Sequence, residues 1–160
     1  MYLLGGIAVD EIIIKYIRTS TDKNLEAKVP KYATAGSAGM DLSACVPEDI
    51  LIKPGEIVMV KTGIAIQIPN SSIGGFVFPR SGLSSRYGIS LANCVGVIDS
   101  DYTGEIICPV INHGSSDYTV KSGDRIAQIV FLPVLKAKLQ EVSSLEETER
   151  GIGGFGSTGT

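Results

Sequence analysis

Short apolar runs rich in Val and Ile alternate along this chain with clusters of Gly, Pro, Asn and Asp. Strand candidates are residues 12–17, 41–46, 50–52, 57–61, 64–68, 75–78, 90–91, 94–98, 105–111, 118–120 and 125–133. Many short strands at roughly 8–12-residue spacing predict an all-β sandwich or barrel. Lys53-Pro54-Gly55-Glu56 and Lys121-Ser122-Gly123-Asp124 read as turns, because proline presets φ and glycine opens the left-handed region. Helical periodicity is almost absent. Residues 83–87 have room for one helical turn, and 134–139 read equally as strand or short helix.

One segment carries more chemistry than a reversal requires. Gly96-Val97-Ile98-Asp99-Ser100-Asp101-Tyr102-Thr103-Gly104-Glu105-Ile106 places two carboxylates and a tyrosine between apolar runs at 94–98 and 106–111. The pattern predicts a β-hairpin, although Asn-Gly or Asp-Gly would be enough to turn one. Taken alone, Asp99 and Asp101 read first as solvated turn formers. The competing reading is a pocket with a base and an aromatic platform.

Other clusters have a similar character. Ala35-Gly36-Ser37-Ala38-Gly39-Met40-Asp41-Leu42 sets a carboxylate after a small-residue turn. Pro79-Arg80-Ser81-Gly82-Leu83-Ser84 combines a guanidinium, hydroxyls and a glycine, which suits phosphate as well as it suits an ordinary loop. In Gly123-Asp124-Arg125-Ile126-Ala127-Gln128-Ile129, strand alternation puts Asp124, Ile126 and Gln128 on one face. A glutamine within such an apolar strand needs a hydrogen-bond partner. His113, the chain's single histidine, reads as a turn residue and lends no support to a Ser-His-Asp triad.

After about residue 140 the chain turns acidic, then glycine-rich from Arg150 onward. Residues 151–156 fit GxGxxG, but no strand precedes the pattern and only four residues follow it, so a dinucleotide fold is excluded. Glycine-rich backbone can still wrap a polyphosphate with its N–H groups, and a mobile tail is the plainer alternative.

Composition narrows the classes. The 160 residues suit one domain with a real core, and the apolar fraction of 44% contains no run long enough to span a bilayer. A net charge of −3 disfavours a direct nucleic-acid binder. Cys45, Cys94 and Cys108 make neither a CxxC spacing nor an even set, so buried, reduced thiols in a cytoplasmic protein are expected.

In order, the clusters at 35–44, 79–84, 96–106, 123–129 and 150–159 match five motifs, and over roughly residues 12–159 the chain resembles the trimeric deoxyuridine triphosphate nucleotidohydrolases (dUTPases). The first eleven or so residues lie outside the resemblance as an extension. The resemblance implies a jelly-roll-like (β-clip) protomer of a homotrimer: residues 1–140 as the core and 141–160 as a mobile C-terminal arm closing over a site of the trimer. It implies Mg²⁺-dependent hydrolysis of dUTP to dUMP and diphosphate, by water attack at the α-phosphorus, keeping uracil out of DNA and supplying dUMP.

By the same resemblance Asp99 is the general base, and Gln128 holds the water or the α-phosphate. Ser81, with Arg80 and Gly82, forms the phosphate loop, while Asp41 organises neighbouring side chains and metal-bound waters. The Mg²⁺ sits on the triphosphate with no direct protein ligand. Tyr102 lies under deoxyribose and leaves no room for a 2′-hydroxyl. Asn93 and the backbone around Val97 read uracil. Phe155 stacks on the base, and Arg150, Gly156, Ser157 and Thr158 hold the γ-phosphate. Arg125 and Asp101 are assigned structural roles. Two other readings share the scaffold: a dCTP deaminase-like relative and a non-catalytic nucleotide-binding regulator.

Overall fold

The computed structural model describes Tyr2–Leu4, Ile7–Val9 and residues 11–154. Near the N-terminus β1 (Tyr2–Leu4) pairs antiparallel with β2 (Ile7–Val9). Two larger sheets follow. The first has the order β10 (Gly96–Ile98), β8 (Ile73–Pro79), β13 (Arg125–Pro133), β5 (Met40–Ser43) and β4 (Lys31–Tyr32). The second has the order β3 (Lys15–Arg18), β7 (Ile57–Gln67), β11 (Glu105–Asn112) and β9 (Ile89–Leu91). A small pair, β12 (Tyr118–Val120) with β6 (Ile50–Ile52), completes the jelly-roll-like, mostly β chain.

The core lies between the two larger sheets. Leu42, Val77, Ala127 and Ile129 of the first meet Val60, Ile64, Ile106 and Val110 of the second in one buried cluster. Strand β11 shows the expected alternation, with Ile106, Cys108, Val110 and Asn112 all buried. Buried Asn112 is satisfied: its amide donates to the carbonyls of Ile52 and Ser116 and its oxygen accepts from the Gly114 N–H. Burial raises the Cys108 thiol to about 12, so it remains protonated at neutral pH. Desolvation, and then the charge of Glu105, raises the Cys45 thiol.

Three features depart from the sequence reading. The runs 57–61 and 64–68 form one strand, not two, because Gly63 at φ 68 takes up a bulge where the β7–β11 register shifts between Glu105 and Ile107. A Cβ at Gly63 would stand 2.6 Å from Ala27 Cβ and 2.7 Å from Cys45 Sγ, so glycine is required there for space as well as for its dihedral.

The segment 96–106 is not a hairpin. Strand β10 pairs with β8 in the first sheet, whereas β11 pairs with β7 and β9 in the second. Residues 99–104 are therefore a corner between sheets, and one hydrophobic face continues on each side of it without the strands pairing.

Cys94 is exposed rather than buried. It sits at φ 60 in the tight turn between β9 and β10, whose neighbouring residues Ala92, Asn93 and Val95 are exposed as well. Smaller differences also occur. Residues 134–139 adopt neither strand nor helix, and residues 83–87 belong to a longer helix, α1 (Ser81–Tyr87), closed by the left-handed Gly88. His113 is exposed just past β11, as a turn residue should be.

Candidate active site

At the centre of the first sheet three strands bring together residues far apart in sequence. Gln128 on β13 is register partner to Asp41 on β5 and to Phe78 on β8. Asp41 is half-buried, and both its oxygens are engaged: Oδ1 accepts from Arg80 Nε at 2.9 Å and Oδ2 from Arg125 Nη1 at 3.0 Å. Arg80 Nη1 also reaches the Arg125 carbonyl at 3.4 Å. The guanidinium is thus held on one edge while its remaining N–H groups stay available for an anion.

Gln128 Nε2 donates to the Pro79 carbonyl at 3.0 Å. One further N–H and the carboxamide oxygen are left for a ligand. A bulge between Arg125 and Ala127 breaks the alternation: Ile126 and Ala127 are both buried, and Ile126 and Gln128 do not share a face as strict pleating predicts. Arg80 caps α1, and Ser81 and Gly82 are its first, exposed residues.

A second group lies on the 99–104 corner. Asp99 is exposed at the end of β10, beside a cleft of about 310 Å³ that also contains Val97, Asp101 and Lys136. Tyr102 folds back over Gly104, its hydroxyl donating to the Glu105 carbonyl at 2.9 Å. A Cβ at Gly104 would fall 2.5 Å from that hydroxyl oxygen, so only glycine lets the ring lie there. Glu105 is a residue the sequence reading did not single out. Its side chain accepts from the Gly63 N–H at 2.7 Å, anchoring the corner to the β7 bulge. Its one signal in the sequence is a carboxylate at the start of an otherwise apolar strand.

Strand β10 is an edge strand, so one row of its backbone groups is open to pair with a ligand. Val97 is exposed on it, and Asn93 is exposed in the turn before it.

The two groups do not meet within one chain. Ile98 pairs with Gly75 at one end of β8, while Arg80 follows Pro79 at the other. At about 3.3 Å per residue, Asp99 and Arg80 are separated by roughly 20 Å along β8. Arg150 is exposed, its Nε donating to the Gly153 carbonyl at 2.9 Å. Phe155, Gly156, Ser157 and Thr158 lie outside the described residues. Among the described residues no three His, Cys, Asp or Glu side chains gather as a metal cage. With Asp41 committed to two guanidiniums, the donor set does not fit a protein-caged cation.

One end of β8 thus offers guanidinium and backbone donors suited to an anion, and the other an exposed carboxylate. The dUTPase family model matches residues 25–159. The chain belongs to the dUTPase family. Among its curated relatives, the deoxyuridine 5′-triphosphate nucleotidohydrolase of Desulfitobacterium hafniense is 54% identical over 149 residues, covering 93% of this chain and 96% of the relative. The Acinetobacter baumannii enzyme of the same name is 52% identical over 134 residues, covering 84% of this chain and 89% of the relative. Among solved structures, the dUTPase of Staphylococcus bacteriophage 80alpha with dUPNHPP superposes with a TM-score of 0.81 at 27% identity, covering 92% of this chain and 99% of that one. No helix among the described residues is long and apolar enough to cross a membrane.

Proposed function

We propose that the protein hydrolyses dUTP to dUMP and diphosphate by attack of water at the α-phosphorus, in sites shared between the copies of a homotrimer. The observation that carries this reading is the division of the family motifs in space. One copy presents Asp99, Tyr102 and an open strand edge; at the far end of β8 it presents Arg80, Ser81 and Gln128. A complete site then needs the first group from one copy and the second from its neighbour. Closed rotational symmetry repeats such a boundary at each interface.

In that site the Asp99 carboxylate takes the proton of the attacking water, which requires it within hydrogen-bond reach of that water. Gln128, fixed at one N–H by Pro79, orients the water or the α-phosphate with its remaining polar groups. Arg80, braced by Asp41, and the hydroxyl and N–H of Ser81 with the N–H of Gly82 stabilise charge developing on the αβ-bridging oxygen. A hard cation such as Mg²⁺ suits the triphosphate oxygens and retains waters, so a bound Mg²⁺ supplies charge neutralisation without a protein cage.

Uracil pairs with the open edge of β10 near Val97 and with Asn93, and Tyr102 closes the sugar pocket against a 2′-hydroxyl. Residues 141–160 form the arm, bringing Arg150, Gly156, Ser157 and Thr158 to the γ-phosphate and Phe155 to the base. Reduced thiols fit a cytoplasmic enzyme, with the three cysteines all unpaired.

Diphosphate release from dUTP, UTP, dTTP and dCTP tests the substrate assignment. The expected order places dUTP far ahead, and Tyr102→Ala narrows the dUTP/UTP preference by about 10-fold or more. Ammonia release from dCTP would instead identify a deaminase, and tight dUTP binding without diphosphate a regulator. Shared sites have their own test. Asp99→Asn and Arg80→Ala proteins, each nearly inactive, are unfolded together and refolded as mixed trimers. About one quarter of the wild-type rate returns if the two groups come from different copies chosen at random. No recovery above the sum of the parents would place both groups in one copy.

A further inference from the structure

Beside the Asp41–Arg125 pair lies an open cleft of about 530 Å³, lined by Lys28, Lys31, Ser43 and Asp124 as well as by Asp41 and Arg125. Its position follows from strand register: Lys31 on β4 is partner to Asp41, which is partner to Gln128. Lys31 therefore extends the row of site residues outward by one strand. Lys28 reaches across from the other side, its Nζ donating to the Gly123 carbonyl at 2.8 Å. Among the described residues neither lysine forms an ion pair, whereas Asp41 is already matched by two guanidiniums. With Lys28, Lys31 and Arg125 set against Asp41 and Asp124, the cleft keeps an excess of positive charge next to the site.

The same chain has a segment of opposite character. Ser144-Leu145-Glu146-Glu147-Thr148-Glu149 precedes Arg150 and is exposed, and its glutamates form no ion pair among the described residues. If Arg150 comes to a phosphate held by Arg80, reach decides where these glutamates go. At no more than about 3.6 Å per residue, Glu147 and Glu146 stay within roughly 11 and 14 Å of Arg150. Arg125, at the mouth of the cleft, shares Asp41 with Arg80.

We infer that the cleft between Lys28 and Lys31 is the landing surface for the acidic segment 146–147 of another copy's arm. This rests on the reading of residues 141–160 as a lid. Docking there lets the arm find its place by charge before Arg150 engages phosphate, and makes closure sensitive to ionic strength.

The test exchanges charges in the full-length protein. Lys28→Glu/Lys31→Glu is expected to raise the KM for dUTP about threefold to tenfold at low salt and to leave kcat within twofold, since exposed pairs are individually weak. Adding Glu146→Lys/Glu147→Lys to the same chain is expected to restore KM. Lys31→Glu alone keeps the Lys28–Gly123 contact and serves if the double variant misfolds. A KM defect that the arm exchange does not rescue, or a KM blind to all these changes, would overturn the docking.

Cleavage after Arg150 by an arginine-specific protease, blind to the lysines introduced at 146 and 147, gives a readout independent of turnover. A non-hydrolysable dUTP analogue is expected to slow it in the wild type, less in the reversed cleft, and again in the exchanged pair. A protein that protects its arm without releasing diphosphate retains the docking and loses the catalytic reading. One that hydrolyses dUTP with salt-independent KM and no rescue does the opposite. Protection by inorganic diphosphate alone, abolished by Lys31→Glu, would make the cleft an anion site and also overturn the docking.

Discussion

Asp99→Asn lowers turnover by about 10²- to 10⁴-fold while nucleotide affinity changes little, as measured by single-turnover diphosphate release beside equilibrium binding of a non-hydrolysable analogue. The carboxamide has nearly the shape of the carboxylate but cannot accept a proton at neutral pH. The side chain is exposed at the end of β10, and no hydrogen bond or ion pair from it supports the fold among the described residues. The variant should therefore fold and assemble as the parent does. A rate within a few-fold of wild type would remove Asp99 as the base and return it to the role of turn former.

Ending the chain after Glu149 gives the second large effect. The core is complete by Pro133, where β13 ends, and no strand or helix follows among the described residues. Removing the last eleven residues, Arg150 to Thr160, should leave the thermal midpoint nearly unchanged. Turnover should nevertheless fall by about 10²-fold or more, because the γ-phosphate loses its guanidinium and the triphosphate is no longer held in line for attack. Supplying dUTP to saturation separates the two contributions. A defect confined to KM would mean that the arm only binds, whereas a fall in kcat means that it also positions. Full activity after truncation would refute the arm as a lid.

Local pattern made much of this molecule legible and left its connections obscure. The alternation Ile106, Cys108, Val110 reads directly as a half-buried strand, and 125–133 matches β13 from end to end. The corner at 99–104 does not, since period and turn residues look alike whether two strands pair with each other or separate into facing sheets. What decides the matter is where free strand edges lie, and that is a property of the whole sheet. The joining of 57–61 to 64–68 through Gly63 has the same origin: glycine marks turns and bulges alike. Cys94 departs from the usual burial of free cysteine because it stands in a tight turn that residue types alone do not reveal.

The chemistry divides similarly. The residue types at Asp99, Tyr102, Arg80 and Gln128 were apparent from their clusters, as was the need of Gln128 for a partner, met by the Pro79 carbonyl. The bracing of Arg80 by Asp41 depends on the β5–β13–β8 neighbourhood and could not be read from spacing. Nor could the distance along β8 that keeps the two groups apart, which turns a question of catalysis into one of assembly.

Glu105 links the corner to strand β7 from both of its ends: its carboxylate takes the Gly63 N–H and its carbonyl takes the Tyr102 hydroxyl. In the proposed site the surface offered to the sugar is consequently shaped when the chain folds, and a nucleotide arriving there has little left to organise. On the same proposal the entropy lost on binding falls mainly on the other side, where arm and triphosphate would order together. Preorganising the arm should therefore tighten dUTP binding more than any further bracing of the corner would.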